Sequence, residues 1–187
     1  MADIRFGNRP IFHIVTRIPC HKLHKRKLTN AIKKTEGEVL KGTNTLVSKH
    51  DFNRPVDKSK LYAEPFLHMV APYLDRLVDK HSFGKVYFKL SISDVWFEQY
   101  ANLNTKHFQS FPNANYTNIY FLEKPKNLYL EFYDHPTSTI YSLKDVNEGD
   151  ILTVPSHIPC RVPENTTNKK LTLVIFNTQI SVVDYGK

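Results

Sequence analysis

Four side chains in the second half of the chain could do metal chemistry: His107, His135, His157 and Cys160. Imidazole nitrogens and thiolates are common ligands of Zn²⁺, and imidazole also suits iron. A cluster of His107 with His135 and His157, or of His107 with Gln109 and Cys160, would bind Zn or Fe if folding brought those residues together. The opposing interpretation is that nine histidines in a basic chain give chance neighbours, and that each is a surface or hydrogen-bonded residue.

Nucleophilic and phosphate-binding chemistry has less support. Cys160 follows His157 by three residues, but it lies between Pro159 and Arg161 on a predicted buried strand. A buried thiol of this kind is typically inert. The sequence contains neither a glycine-rich phosphate loop nor a Gly-x-Ser-x-Gly nucleophile motif. Two cysteines, Cys20 and Cys160, are too few for a disulfide framework, so we expect synthesis in a reducing compartment.

Positive charge is concentrated in the N-terminal third. Residues 1–60 hold 14 Lys/Arg and 5 Asp/Glu, whereas residues 61–187 hold 12 and 13. Such a field could attract nucleic acid or an acidic protein surface. The alternative is an ordinary solvated helix face. The candidate basic patch comprises Lys22, Lys25, Arg26, Lys27, Lys33 and Lys34.

Size and composition indicate one globular domain. The 187 residues are 41% hydrophobic and include 12 Phe and 10 Tyr, which is too apolar for a disordered chain. We expect a single domain over residues 1–187, with a basic strand-and-helix part at 1–84 and a strand-rich core at 85–187. No apolar run is long enough for a transmembrane helix, and the N-terminus lacks the apolar stretch of a signal peptide.

Hydrophobic periodicity predicts the elements. A strand is expected over residues 10–18, a helix over 20–35, and a long loop with one short strand over 40–60. A second helix carries an apolar stripe from Phe66 to Val78; Pro65 suits its first turn, and Pro72 predicts a kink or a later start.

From residue 85 onward the period changes to two, which predicts strands. A long strand continues through residues 95–97, and turn signals separate seven further short strands at 118–122, 128–133, 139–142, 151–154, 161–162, 171–176 and 180–183. This spacing is typical of an antiparallel sandwich or barrel, with the two helices packed on one sheet, an α+β fold.

Residues 94–100 (DVWFEQY) resemble the strand that enters the active site of phage-type 2-oxoglutarate/Fe(II)-dependent oxygenases. In that family a His-x-His pair begins nine residues after the tyrosine and is followed by Pro-Asn. Here Gln109 lies nine residues after Tyr100, Phe111 takes the partner position, and Pro-Asn follows at 112–113.

The resemblance continues along the chain. Residues 117–122 (TNIYFL) and 130–134 (LEFYD) are similar to the next two family strands, and Glu-Gly-Asp at 148–150 is similar to the turn before the distal motif. Residues 154–162 (VPSHIPCRV) resemble that motif, with Cys160 where the distal histidine belongs. With Phe-Asn at 176–177 resembling the closing strand, the similarity covers about residues 86–180.

The resemblance implies a double-stranded β-helix (jelly-roll) core and a degenerate metal site. Gln109, Phe111 and Cys160 would stand at the three metal-ligand positions, and none is a good Fe(II) ligand. The family's arginine for the cosubstrate carboxylate corresponds to Leu171, with Lys170 beside it as a weaker match.

These observations favour a non-catalytic relative with no cofactor. The expected role is a structural or protein-binding module, specifically a phage virion or assembly component, located in the virion or the host cytoplasm. Its partners would be other proteins in a multi-copy assembly, without membrane contact. One alternative is an active dioxygenase that uses Fe(II) and 2-oxoglutarate through unconventional ligands; a second is nucleic-acid binding through the basic N-terminal third.

Overall fold

The computed structural model describes residues 4–7, 13–39, 46–81 and 87–183. Two helices and ten strands follow one another along the chain. The helices are α1 His21–Lys34 and α2 Ala63–His81. The strands are β1 Ile4–Gly7, β2 His13–Arg17, β3 Lys49–His50, β4 Tyr87–Tyr100, β5 Tyr116–Glu123, β6 Leu130–Asp134, β7 Thr139–Leu143, β8 Asp150–Pro155, β9 Cys160–Arg161 and β10 Leu171–Val183.

The strands form two antiparallel sheets. The larger has the order β1-β2-β8-β5-β10-β4-β3, and the smaller has the order β7-β6-β9. Successive side chains of a strand point to opposite faces, so the central strands β8, β5, β10 and β4 each contribute to two cores. Trp96, Ile119 and Leu173 face the smaller sheet, whereas Phe97 and Tyr120 face the helices. The predicted jelly-roll core with helices packed on one sheet is confirmed.

Helix α1 closes over one end of the larger sheet. Its buried residues are His21, Leu28 and Ile32. A hydrogen bond of 2.6 Å joins His21 Nδ1 to the buried hydroxyl of Tyr120, and Gly149 lies against the same imidazole. Gly149 has φ +87°, and a Cβ added there would stand 2.8 Å from His21 Cγ. Glycine at this position therefore lets the turn that precedes β8 pack closely against His21 of α1.

Of the two outcomes predicted for α2 at Pro72, the later start is wrong, and the kink stays a prediction. The helix begins at Ala63 and continues through Pro72 without a later start. Pro72 is exposed, while Phe66, Val70 and Leu74 on the opposite side are buried. Burial of that face holds the helix together across the hydrogen bond that proline cannot donate.

The segment before α2 is fixed to β4 by a buried charge. Asp51 accepts hydrogen bonds from the Tyr62 hydroxyl (2.7 Å) and from the Phe97 amide (2.8 Å). Lys60 donates to the Val95 carbonyl at 2.6 Å and lies 3.9 Å from the Asp51 carboxylate. Burial raises the pKa of Asp51, and these donors oppose the rise.

The structure changes two of the strand predictions. The strands predicted at 171–176 and 180–183 are one strand, β10, whose pairing with β4 shifts between Asn177 and Thr178. Such an irregularity lets one strand bend without ending. Strand β1 was not predicted. The predicted starts at residues 10 and 85, and the proposed division between residues 84 and 85, lie outside the described residues.

Candidate functional site

The candidate site lies inside the jelly roll, between the two sheets. The structure brings together the three predicted ligand positions there: Gln109, Phe111 and Cys160 line one small cavity with Glu98 and Lys106. That these positions correspond to metal ligands of the oxygenases stays a prediction.

Backbone pairing sets the geometry of those positions. Gln109 and Cys160 are opposite each other, because each amide donates to the other's carbonyl, at 2.9 and 3.0 Å. Residues opposite each other in an antiparallel pair share a face. Phe111 follows two residues after Gln109, and its amide donates to Ser156 O at 2.8 Å. The three side chains therefore converge although residues 109 and 160 are far apart in sequence.

A buried carboxylate with three donors occupies the same interior. Trp96, Glu98 and Tyr100 alternate on the inward face of β4. The Trp96 indole donates to Glu98 Oε1 at 3.0 Å, the Tyr100 hydroxyl donates to Oε2, and the Lys106 ammonium donates to Oε1. The Glu98 side chain is 4% exposed and that of Lys106 is 16% exposed, so the two form a largely buried ion pair.

The electrostatics of Glu98 follow from these contacts. Burial alone would raise its pKa, but the Lys106 charge and the hydrogen bonds from Lys106, Tyr100 and Trp96 outweigh burial and hold the pKa of Glu98 below its usual value. Glu98 is therefore ionised, and both of its oxygens already accept hydrogen bonds from protein donors.

Cys160 is a free thiol and stays protonated. Burial raises its pKa to about 12, the Lys106 charge lowers it and the Glu98 charge raises it. Because the thiolate is the nucleophile and the metal-binding form, Cys160 is a weak candidate for either role at neutral pH.

Phe111 packs against two aromatic rings beside the cavity. Its ring centroid lies 5.0 Å from that of Trp96 and 5.9 Å from that of Phe52, and the Phe52 and Trp96 rings meet edge-on at 4.9 Å. The cavity left beside Phe111 has a volume of about 20 Å³. A site of this volume holds about one water molecule, not a dicarboxylate.

His50 is a neighbour that sequence analysis missed. It pairs with Glu98 across β3 and β4, and its buried Nε2 has no hydrogen-bond partner among the described residues. Burial lowers the pKa of His50, although the Glu98 charge opposes this. The period-two pattern of β4 was a signal for the inward position of Glu98, but the pairing of His50 with it left no local trace in the sequence.

The alternative histidine cluster does not assemble. His107, His135 and His157 are all exposed, and the His135 ring rests edge-on against Tyr133 with centroids 4.8 Å apart. Within the described ranges, no group of three or more His, Cys, Asp and Glu side chains could hold a metal ion.

The proposed cosubstrate positions point in opposite directions. Leu171 is buried in the core between the sheets, opposite Tyr100. Lys170 precedes it, so alternation directs its side chain to the other face. Burial lowers the pKa of Lys49, which lies on the helix side, and the charge of Lys170 lowers it further. Lys170 is therefore not placed to pair with a carboxylate inside the jelly roll.

The predicted basic patch lies on α1. Lys25 is partly buried and forms an ion pair with Glu148, with Nζ 2.6 Å from Oε1. The other five side chains of the patch are exposed: Lys22, Arg26, Lys27, Lys33 and Lys34. Nothing in this arrangement connects the patch to the interior cavity. Helix α2, like α1, fails to combine the length and apolarity needed to cross a membrane, so no described helix does so.

Several solved structures of similar fold are oxygenases. A prolyl-4-hydroxylase from Pseudomonas putida has a TM-score of 0.60 and 9% identity, covering 91% of this chain and 94% of the enzyme. The epimerase SnoN of nogalamycin biosynthesis has a TM-score of 0.64 and 9% identity, covering 96% and 84%. HygX from Streptomyces hygroscopicus, with nickel and 2-oxoglutarate bound, has a TM-score of 0.63 and 7% identity, covering 89% and 82%. No protein-family model and no curated sequence matches the chain.

The chain therefore has the double-stranded β-helix fold of 2-oxoglutarate/Fe(II)-dependent oxygenases. The prediction of no cofactor is wrong on this comparison, because SnoN is dependent on α-ketoglutarate (2-oxoglutarate) and HygX carries 2-oxoglutarate with nickel, which points to Fe(II) and 2-oxoglutarate instead. The phage-type resemblance and the replacement of the ligands stay predictions.

The described residues of the interior do not fit that cofactor pair. Phe111 offers no donor atom, Gln109 offers a neutral amide, and Cys160 is held as a thiol. The carboxylate of Glu98 is committed to Lys106. The similar structures are oxygenases, whereas the side chains at the centre of this chain pack against one another and neutralise a buried charge.

Proposed function

We propose that the chain uses the oxygenase fold as a non-catalytic module that binds other proteins in a multi-copy assembly. The observation that carries the proposal is the interior itself. The Glu98–Lys106 ion pair and the Phe111 ring occupy the space where a reacting group would have to enter. In this role Lys106 supplies the buried positive charge that balances Glu98, and the site contributes to stability.

The phage-type motif resemblance supports the specific form of this proposal, a component of a virion or of its assembly. Surfaces suited to partners are present. Leu23, Val56 and Leu61 are large apolar side chains that are about half exposed or more (82%, 49% and 50%), and β3, with only two residues, leaves much of the β4 edge open in the described chain. Exposed apolar groups and open strand edges are common points of protein contact.

Light scattering coupled to size-exclusion chromatography tests the assembly. We expect a mass of several copies of the 21.8 kDa chain, with a fraction that grows with protein concentration. A monomer that persists from micromolar to near-millimolar concentration would overturn the multi-copy proposal.

A second candidate is catalysis with Fe(II) and 2-oxoglutarate, which the comparisons favour. It requires a ligand set other than the one the described interior residues offer. Turnover of 2-oxoglutarate separates the two candidates, because the packed interior gives the first no means of consuming it.

A further inference from the structure

The solvent face of α1 carries more positive charge than its surroundings neutralise. The helix has six Lys and Arg residues and no acidic residue among its 14 positions. Lys25 is paired with Glu148. The other five cations, defined here as the α1 cationic face, are exposed and have no carboxylate partner in the described part of the chain: Lys22, Arg26, Lys27, Lys33 and Lys34.

Helix stability does not account for the first two of these charges. Lys22 lies in the first turn, where the helix dipole is positive and no acidic residue is present. A cation there costs about 0.3–1 kcal/mol. Lys22 and Arg26 are also four residues apart, a spacing at which like charges repel by about 0.2–0.5 kcal/mol. Only Lys33 and Lys34, in the last turn, favour the dipole. Residues that oppose local stability are explained by a partner outside the chain.

The five charges form two rows. At 100° per residue, Lys22, Arg26 and Lys33 lie within about 40° of one another and span about 16 Å along the axis. Lys27 and Lys34 form a second row, about 110° around the helix. The strip between the rows is uncharged; it contains Leu23, which is 82% exposed, and Asn30.

We propose that the α1 cationic face binds double-stranded nucleic acid. Each row would contact the phosphates of one strand, since a duplex presents a negative charge about every 1.7 Å of its axis. A helix with side chains is about 10–12 Å across, and the DNA major groove is about 12 Å wide. The uncharged strip between the rows then faces the base edges, where an Asn amide can hydrogen-bond. An acidic protein would match the charge but not the two separated rows.

The test is fluorescence anisotropy with the full chain and a labelled duplex of about 24 base pairs, titrated over about 50–300 mM salt. With four to five phosphate contacts, the slope of log affinity against log salt concentration should be about −4. The triple variant Lys22→Gln, Arg26→Gln, Lys33→Gln removes one row. Its slope should be shallower by about 2.7, and its affinity at about 100 mM salt should be at least about tenfold lower.

A matched control distinguishes binding by the α1 cationic face from binding that depends only on the net charge of the chain. The variant Lys126→Gln, Lys144→Gln, Lys169→Gln removes the same charge from exposed positions outside α1 and should retain nearly the wild-type slope. Circular dichroism checks folding, and the α1 variant should melt close to wild type, because the repulsion relieved at Lys22 and Arg26 offsets the dipole interaction lost at Lys33. Equal losses in the two variants, or no binding at about 50 mM salt, would overturn the proposal. Tighter binding of polyglutamate than of duplex at equal charge concentration would assign the face to an acidic protein instead.

Discussion

Replacing Lys106 by Met is the sharpest perturbation of the interior, because it removes the charge and keeps most of the volume. Glu98 then remains almost fully buried, with a side-chain exposure of 4%, and keeps only the neutral donors of Trp96 and Tyr100. Breaking a buried ion pair from one side typically costs about 3–5 kcal/mol, whereas an exposed pair is worth at most about 1 kcal/mol. We expect the free energy of unfolding to fall by about 3 kcal/mol near pH 7.

Urea unfolding followed by circular dichroism measures this loss, and a second variant isolates its cause. Lys106→Met combined with Glu98→Gln leaves no unpaired charge, so it should recover most of the lost stability. A loss below about 1 kcal/mol in the single variant, or a double variant no more stable than the single one, would refute the assignment of a buried ion pair.

The pH dependence of stability provides an independent test of the buried ion pair. Because the pKa of Glu98 is held below its unfolded value, the pair contributes stability above about pH 4.3, and that contribution is lost as the pH falls through the folded pKa. In Lys106→Met the pKa of Glu98 rises, so wild type and variant should converge in stability as the pH is lowered. A gap that widens towards low pH would contradict this.

Three further outcomes are expected. Phe111→Ala opens the space beside Trp96 and should lower the free energy of unfolding in urea by roughly 2–4 kcal/mol. The control Val182→Ala, at a side chain that is 65% exposed, should change it by less than about 0.5 kcal/mol. Equal effects would show that Phe111 is not a packing residue. Gly149→Ala places a Cβ 2.8 Å from His21 Cγ at φ +87°. It should lower the free energy of unfolding by roughly 1 kcal/mol or more and the melting temperature by several degrees. An unchanged melting temperature would mean that α1 and the turn shift to accommodate the Cβ at no cost. Burial lowers the pKa of His21 and of His50, so their contribution to stability is present above about pH 6.5 and is lost below it. The urea midpoint should therefore decrease when the pH is lowered from about 7.5 to 5.5, and it should decrease less in a His50→Leu variant. A midpoint that rises on acidification would contradict the burial of both imidazoles.

The sheets could be predicted from sequence because their signal is local. The alternation over residues 94–100 places Trp96, Glu98 and Tyr100 on one face, and the pairing of β4 with β10 keeps one register over these residues before it shifts between Asp94 and Ile92. The length of β10 was not predictable in the same way. The polar residues 177–179 resemble a turn in sequence. In the structure, residues 177 and 178 pair with both β4 and β5, and residue 179 pairs with β4, which only the tertiary fold reveals.

The convergence of Gln109, Phe111 and Cys160 came from the motif resemblance, since positions 51 residues apart have no local pattern that joins them. The partner of Glu98 was missed for the same reason. Lys106 lies in an irregular segment, and the reach of a lysine from such a segment depends on the path of the backbone. The predicted histidine cluster rested on spacing alone, and His107, His135 and His157 instead remain at the surface, where imidazole is well solvated.

The most direct measurement of the central claim is the consumption of 2-oxoglutarate by the purified wild-type chain with Fe(II), ascorbate and oxygen. The heat-denatured chain serves as the blank, and Cys160→Ser, which alters a cavity-lining side chain, serves as the matched variant. A packed interior predicts consumption equal to the blank for both proteins. Consumption that rises in proportion to wild-type protein and is abolished in Cys160→Ser would contradict the account and establish catalysis at this site.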